Sequence, residues 1–274
     1  MKKYMCFLLA LLLTLTLAMP ALADIAYEPR DDFYQKHRKD CDYENRVYYT
    51  NGAEGYVTVH SSPTGGAKTA IANGISFYVS YTYDDGRWGC IEYDPDTRLA
   101  AGSRNSDSGW VKLEEMVCDY DNRAFMADHA DELVNAERSL LPTPTEGEAV
   151  YAYKYPGSGI VRTTLDMAVV GGHEIPFSTV FTDPAGREWG YCGYHYGIRE
   201  LWVCLDDPCN DALEADENFV DPLAKMTPAA DPSTVEAAAR AAGLPGAYLI
   251  AGIGGVVVIA AAILAAVIRK KKKA

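Results

Sequence analysis

The chain has 274 residues, 49% of them hydrophobic and 23% charged, and a formal net charge of −13 at pH 7. Seven of its 25 basic residues sit at the two ends (Lys2, Lys3, Arg269 and Lys270 to Lys273), so residues 24–246 carry 18 basic against 38 acidic side chains, a net −20. A surface of that sign repels polyanions at long range, and no basic run interrupts it, which excludes nucleic acid as a partner.

In chain order, residues 1–23 come first. Lys2 and Lys3 precede an apolar stretch from Phe7 to Leu17 and then Ala21-Leu22-Ala23. A basic start, an apolar middle and a small-x-small end predict a secretory signal peptide. Residues 24–46 form a short helical lead-in, with Asp31 as N-cap candidate and Phe33 and His37 four apart. Residues 47–118 follow as a tract of Val, Ile, Tyr, Thr and Gly that predicts short strands. Residues 119–148 pair a second short helix, with Phe125 and His129 again four apart, with a linker containing Pro142 and Pro144. A second strand tract occupies 149–207, and an acidic, Ala/Pro-rich stretch over 208–246 predicts an extended stalk with a short helix from Val235 to Ala242.

Residues 247–268 are uncharged and almost wholly apolar, and Arg269 and four lysines follow at once. About 20 helical residues cross a hydrocarbon core, and a basic flank stays cytoplasmic. The expectation is a single-pass protein of the cell membrane, with residues 24–246 outside and 269–274 as a cytoplasmic tail. Leu244-Pro245-Gly246-Ala247 also partly matches a sortase sorting signal, which leaves wall attachment as the alternative.

The halves repeat one pattern. Asp85-Gly86-Arg87-Trp88-Gly89-Cys90 leads to Gly109-Trp110-Val111-Lys112-Leu113, and Gly186-Arg187-Glu188-Trp189-Gly190-Tyr191 leads to Leu201-Trp202-Val203-Cys204-Leu205. Self-similarity of this kind marks one module used twice. Once Cys6 leaves with the signal peptide, Cys41, Cys90, Cys118, Cys192, Cys204 and Cys209 remain outside, where disulfides are permitted and their pairing is open. No C-x-x-C or zinc-type spacing occurs, and neither a metal nor a cofactor is expected.

The strand tracts resemble the bacterial SH3-like (SH3b) domains. Val57-x-Val59-x-x-x-Pro63, the Asn73-Gly74 turn, the Trp88 strand and Gly109-Trp110-Val111 carry the resemblance in the first module. Pro156-Gly157-Ser158, Trp189-Gly190 and Trp202-Val203 carry it in the second, where Leu201 replaces the Gly before the Trp. The resemblance implies an all-β protein of two small SH3-like barrels in tandem, each preceded by a short helix, plus one C-terminal transmembrane helix. It implies a non-catalytic binding module that recognises cell-wall peptide or another surface ligand.

Tyrosines offer a broad apolar face with one polar handle, which suits such ligands. Tyr81, Tyr83, Tyr93, Tyr194 and Tyr196 are the candidate ligand-binding residues, whereas Trp88, Trp110, Trp189 and Trp202 are assigned to the barrel interiors. No catalytic residue is expected. His37 and Cys41 lie four apart but lack a third group to orient them, and no G-x-S-x-G elbow occurs. The competing expectation is an interaction or scaffold subunit that docks other exported proteins.

Overall fold

The computed structural model describes residues 28–100, 106–140, 149–166, 174–195 and 197–243. The expected signal peptide, transmembrane helix, basic tail and sorting-like motif lie outside the described residues, and among those described no helix is long and apolar enough to cross a membrane.

The protein is mostly β. The first sheet contains β1 (Cys41–Thr50), β2 (Tyr56–His60), β3 (Ala67–Ala72), β4 (Ser76–Tyr83), β5 (Trp88–Tyr93), β6 (Asp107–Lys112) and β7 (Met116–Cys118). The second contains β8 (Val134–Leu140), β9 (Ala149–Tyr153), β10 (Val161–Asp166), β11 (Ile175–Thr182), β12 (Glu188–His195) and β13 (Ile198–Cys204). Among the described residues three α-helices accompany them: α1 (Asp32–His37), α2 (Asn122–Asp128) and α3 (Pro232–Ala242).

The strand orders are β3-β2-β6-β5-β4-β1-β7 and β10-β9-β13-β12-β11-β8. Replacing β1 by β8, β2 by β9 and so on turns the first six strands of one order into the other, with β7 as the addition. The repeat seen in the sequence is thus a repeat of topology. All pairings are antiparallel, as hairpin-connected strands require.

Strand alternation builds both cores. In β2, Val57 and Val59 are buried while their neighbours are half-buried, and in β4 Phe77, Val79 and Tyr81 take the inward positions. Ile71 of β3 and Met116 of β7 belong to opposite ends of the first sheet, yet both pack into the cluster of Val57, Phe77, Val79 and Ile91. The sheet therefore coils around its own core. Val150, Leu165, Ile175, Phe177, Leu201 and Val203 form the matching cluster of the second module. Gly89 and Gly190 hold equivalent places in β5 and β12. A Cβ on Gly89 would lie 2.8 Å from Leu113 Cδ2 and 2.9 Å from Val79 Cγ1, and one on Gly190 would lie 2.6 Å from Phe177 Cγ. Each glycine lets a core side chain cross directly over the strand.

Three expected boundaries change. β1 begins at Cys41, inside the segment expected to be lead-in. β8 occupies part of the expected linker, and it escapes a pattern search because it is an edge strand whose Val-Asn-Ala-Glu-Arg-Ser-Leu is largely exposed.

The expected stalk is the largest correction. After β13 the chain crosses the second module, where Leu213 is buried and its amide donates to Tyr153 Oη at 3.1 Å. It then returns to the first module. Thr227 N donates to Asn51 Oδ1 at 2.7 Å, Ala230 N to Gly55 O at 3.0 Å, and Asn73 Nδ2 to Thr227 O at 3.1 Å. α3 lays Val235 and Ala239, four apart on one face, against Ala70 of β3, and Glu236 meets Arg98 at 2.6 Å. The stretch is a strap over both modules. Its Ala/Pro/Asp composition suggests an extended chain, but small side chains are what let a helix sit this close to a strand.

A carboxylate at Ala239 would face Ala70 with no cation to meet it, a cost on the order of 3 kcal/mol. In Ala239→Asp, amide protection by hydrogen exchange is expected to vanish across residues 227–243 and to persist in β4, β5, β11 and β12.

Candidate functional site

Each short helix begins with a polar side chain that a buried tryptophan needs. Asp31 caps α1 by accepting from Tyr34 N at 2.9 Å, and the same oxygen accepts from Trp110 Nε1 at 2.9 Å. In the second module Asn122, at the start of α2, accepts the Trp202 indole N–H. A fully buried N–H must find an acceptor, so each indole fixes the position of its helix.

With the helices fixed, the Phe-x-x-x-His pairs arrive at equivalent places. Phe33 stacks on His37 at 4.2 Å and meets Tyr83 and Trp110 edge-on at 5.0 and 5.3 Å. Phe125 stacks on His129 at 4.4 Å and meets Phe181 and Trp202 edge-on at 5.0 and 5.4 Å. Each histidine also faces a carboxylate three residues on: Asp40 at 3.4 Å from His37, and Glu132 at 2.8 Å from His129. Tyr83 and Phe181 occupy the same register position, opposite Trp88 and Trp189.

In the second module this cluster opens into a cavity of about 380 Å³. Its aromatic wall continues from Phe125 to Tyr155 (5.7 Å, stacked), then to Tyr120 (5.0 Å) and Phe219 of the strap (4.6 Å from Tyr120). The strap also contributes Glu214, Ala215, Asp216 and Glu217 to the lining. Asp216 N donates to Gly157 O at 2.8 Å, and its carboxylate accepts from Asn218 N at 2.9 Å, so the acidic loop is held in place by its backbone.

Asp183 lies at the edge of the cavity and is buried. It accepts from Trp189 Nε1 at 3.0 Å, from Arg187 Nε at 2.7 Å and from the Arg187 and Ala185 amides. Burial alone would raise its pKa, but these donors hold it below the usual carboxylate range. Arg187 is thereby committed. Burial, and then the Asp221 and Asp119 carboxylates, push the Tyr155 hydroxyl up to about 12, so it stays a neutral phenol.

A second cavity, of about 420 Å³, lies between the modules and is charged rather than apolar. Arg46 makes a two-pronged bond to Asp121, both arms 2.7 Å, and Lys154 reaches Asp119 at 2.9 Å. A register shift in β1 between Tyr43 and Arg46, with Asn45 at φ 51°, aims Arg46 across the gap. Asp121 also caps α2 through Ala124 N, so one carboxylate joins the modules and starts the helix. Burial opposes its charge, yet Arg46 and the amides hold its pKa below the usual range.

The candidate tyrosines fall elsewhere. Tyr81 is 8% exposed and packs on Tyr34 at 4.5 Å and Tyr43 at 5.5 Å, because it shares the inward face of β4 with Phe77 and Val79. Tyr93 is 3% exposed at an inward position of β5, and its hydroxyl donates to Asp107 at 3.1 Å. Both are core residues rather than surface contacts. Tyr83 is half-buried in the first aromatic cluster, Tyr194 is exposed on β12, and Tyr196 lies outside the described residues. None of the four described ones, Tyr81, Tyr83, Tyr93 and Tyr194, lines the aromatic cavity. Trp110, Trp189 and Trp202 are buried as expected, and Trp88 is half-buried beside His60.

Cys41, Cys90, Cys118, Cys192 and Cys204 are thiols. Burial and the carboxylates of Asp40, Asp42 and Asp31 push Cys41 up to about 11, and burial raises Cys90 well above its ordinary value. Both are protonated and weakly nucleophilic at neutral pH.

No family model matches the chain, and no curated protein matches it. Among solved structures, a Listeria monocytogenes protein provisionally assigned as an autolysin aligns at 12% identity and a TM-score of 0.22. The alignment covers 60% of this chain and 61% of that one.

Asp121 and Asp183 both have folded pKa values below the unfolded carboxylate value of about 3.9. A depressed folded value contributes stability that is present above the unfolded pKa and lost as pH falls through the folded one. Urea midpoints are therefore expected to hold from pH 7 to about pH 4 and to drop below it. Asp183→Asn should lower the midpoint at pH 7 by the equivalent of about 2 kcal/mol and flatten the acid limb.

Proposed function

We propose that this chain is a non-catalytic binding protein held outside the cell membrane by residues 247–268, with each module an SH3-like barrel and the second carrying the ligand pocket. The observation that supports this most is the composition of the cavity walls. They combine rings from α2, β11, the loop after β9 and the strap with carboxylates on a backbone-fixed loop. Rings and fixed polar groups bordering one cavity suit capture of a ligand.

The ligand is a cell-wall peptide. An extended chain with amide planes and alkyl side chains lies well on stacked Tyr and Phe faces. Coiled, short-stranded modules closed by a strap also fit the SH3-like reading of the sequence. The charged seam between the modules belongs to their docking, since Arg46 and Lys154 are spent on Asp121 and Asp119.

The full-length protein in detergent should co-sediment with purified wall sacculi. Phe219→Ala, at a half-buried position of the strap, removes one ring of the pocket and should weaken that binding about tenfold, near 1.4 kcal/mol. Absence of sedimentation at both low and high salt would refute the wall-peptide reading.

A further inference from the structure

We infer that the pocket of the second module selects a ligand carrying a primary ammonium on an alkyl arm, such as the side-chain amine of a basic or diamino acid. This rests on the pocket being the ligand site.

Three observations converge. First, the charges are one-sided. Among the described residues Arg187 is the only Arg or Lys on the walls, and it is bound to Asp183 at 2.7 Å, while His129 is paired with Glu132 at 2.8 Å. Glu214, Asp216 and Glu217 of the lining form no ion pair among the described residues. An anionic ligand would meet three carboxylates and no uncommitted cation.

Second, these carboxylates are positioned. The loop is tied to Gly157 by Asp216 N, and Phe219 N closes a turn onto Asp216 O at 3.1 Å. A Cβ on Gly159 would stand 3.0 Å from Ala215 N, so the loop lies directly on the module. A solvated acidic tail has no such constraint.

Third, the cavity is also lined by rings. Tyr155, Phe125 and Phe181 all border it. An ammonium gains from ring faces and from carboxylates alike, and its alkyl arm buries against the rings. A cavity of about 380 Å³ is at the small end of the range for ligand sites, which suits one side chain rather than a whole peptide.

The test uses the full-length protein in detergent and two probes, Nα-acetyl-lysine amide and its Nε-acetylated form, followed by tyrosine and tryptophan fluorescence. The free amine should bind at least tenfold tighter than the acetylated probe. Glu214→Gln with Glu217→Gln, both exposed positions, should weaken the amine about tenfold and leave the acetylated probe unchanged. Equal affinity for the two probes, no binding of the amine, or no effect of the double variant would overturn the inference. Sacculi with chemically acetylated amines separate it from the wall reading. Undiminished sedimentation keeps the wall reading and removes this one. Binding of the amine without sedimentation on native sacculi does the reverse.

Discussion

The structure depends on the need of two buried indole N–H groups for an acceptor. Trp110 and Trp202 are each fully enclosed, on equivalent strands, and each indole N–H is accepted by a side chain, Asp31 or Asn122. The acceptor comes from the first turn of a helix that is otherwise too short to be stable alone. The bond therefore does two things. It satisfies the tryptophan, and it decides where a six- or seven-residue helix sits. Everything on that helix inherits the placement, including the Phe–His stack in both modules.

Asp121 extends the same logic from the module to the whole protein. It caps α2 while its oxygens hold the Arg46 guanidinium of β1. The first module thus fixes the beginning of the helix that lines the pocket of the second. The strap closes the arrangement from the other side, because Phe219 joins Tyr120 and Tyr155 only where the chain turns back toward the first module. The pocket draws on a helix start, a strand end and a return segment, and no one of them builds it alone.

The sequence made some of this legible. The repeat, the all-β character and the inward Trp positions follow from alternation and from the Trp-Gly and Trp-Val strands, since period-two burial leaves a local mark. The Phe-x-x-x-His spacing was visible too, but its partner rings Tyr83 and Phe181 lie far off in sequence, and pairing them needs the register of β4 and β11. Tyr81 and Tyr93 read as candidate ligand contacts until that register shows them facing inward. The strap was least legible. Its acidic residues face a cavity whose other wall is up to about 90 residues away, and its one helix reads as a soluble alanine run.

The two modules also differ, among the described residues, beside their shared aromatic cluster. Both carry the same cluster of Phe, His and Trp, but the hairpins beside it differ. In the first module, Asp84, Asp85 and Gly86 all have positive φ, and the Asp84–Arg87 pair at 3.3 Å stays exposed. In the second, the turn runs from Asp183 to Arg187 between Thr182 and Glu188, one residue longer, and this tucks Asp183 under Trp189. The buried Asp183–Arg187–Trp189 unit makes a firm rim, whereas Trp88 remains half-buried against His60. The strap then adds its acidic wall to the second module and spends its helix on β3 of the first. A duplicated scaffold has thus been divided: the first copy receives helix α3, and the second is shaped into a cavity. The shared Phe–His–Trp geometry belongs to the fold common to both copies, whereas the rim and the strap's acidic loop belong to the second alone, and the cavity lies where the two copies differ.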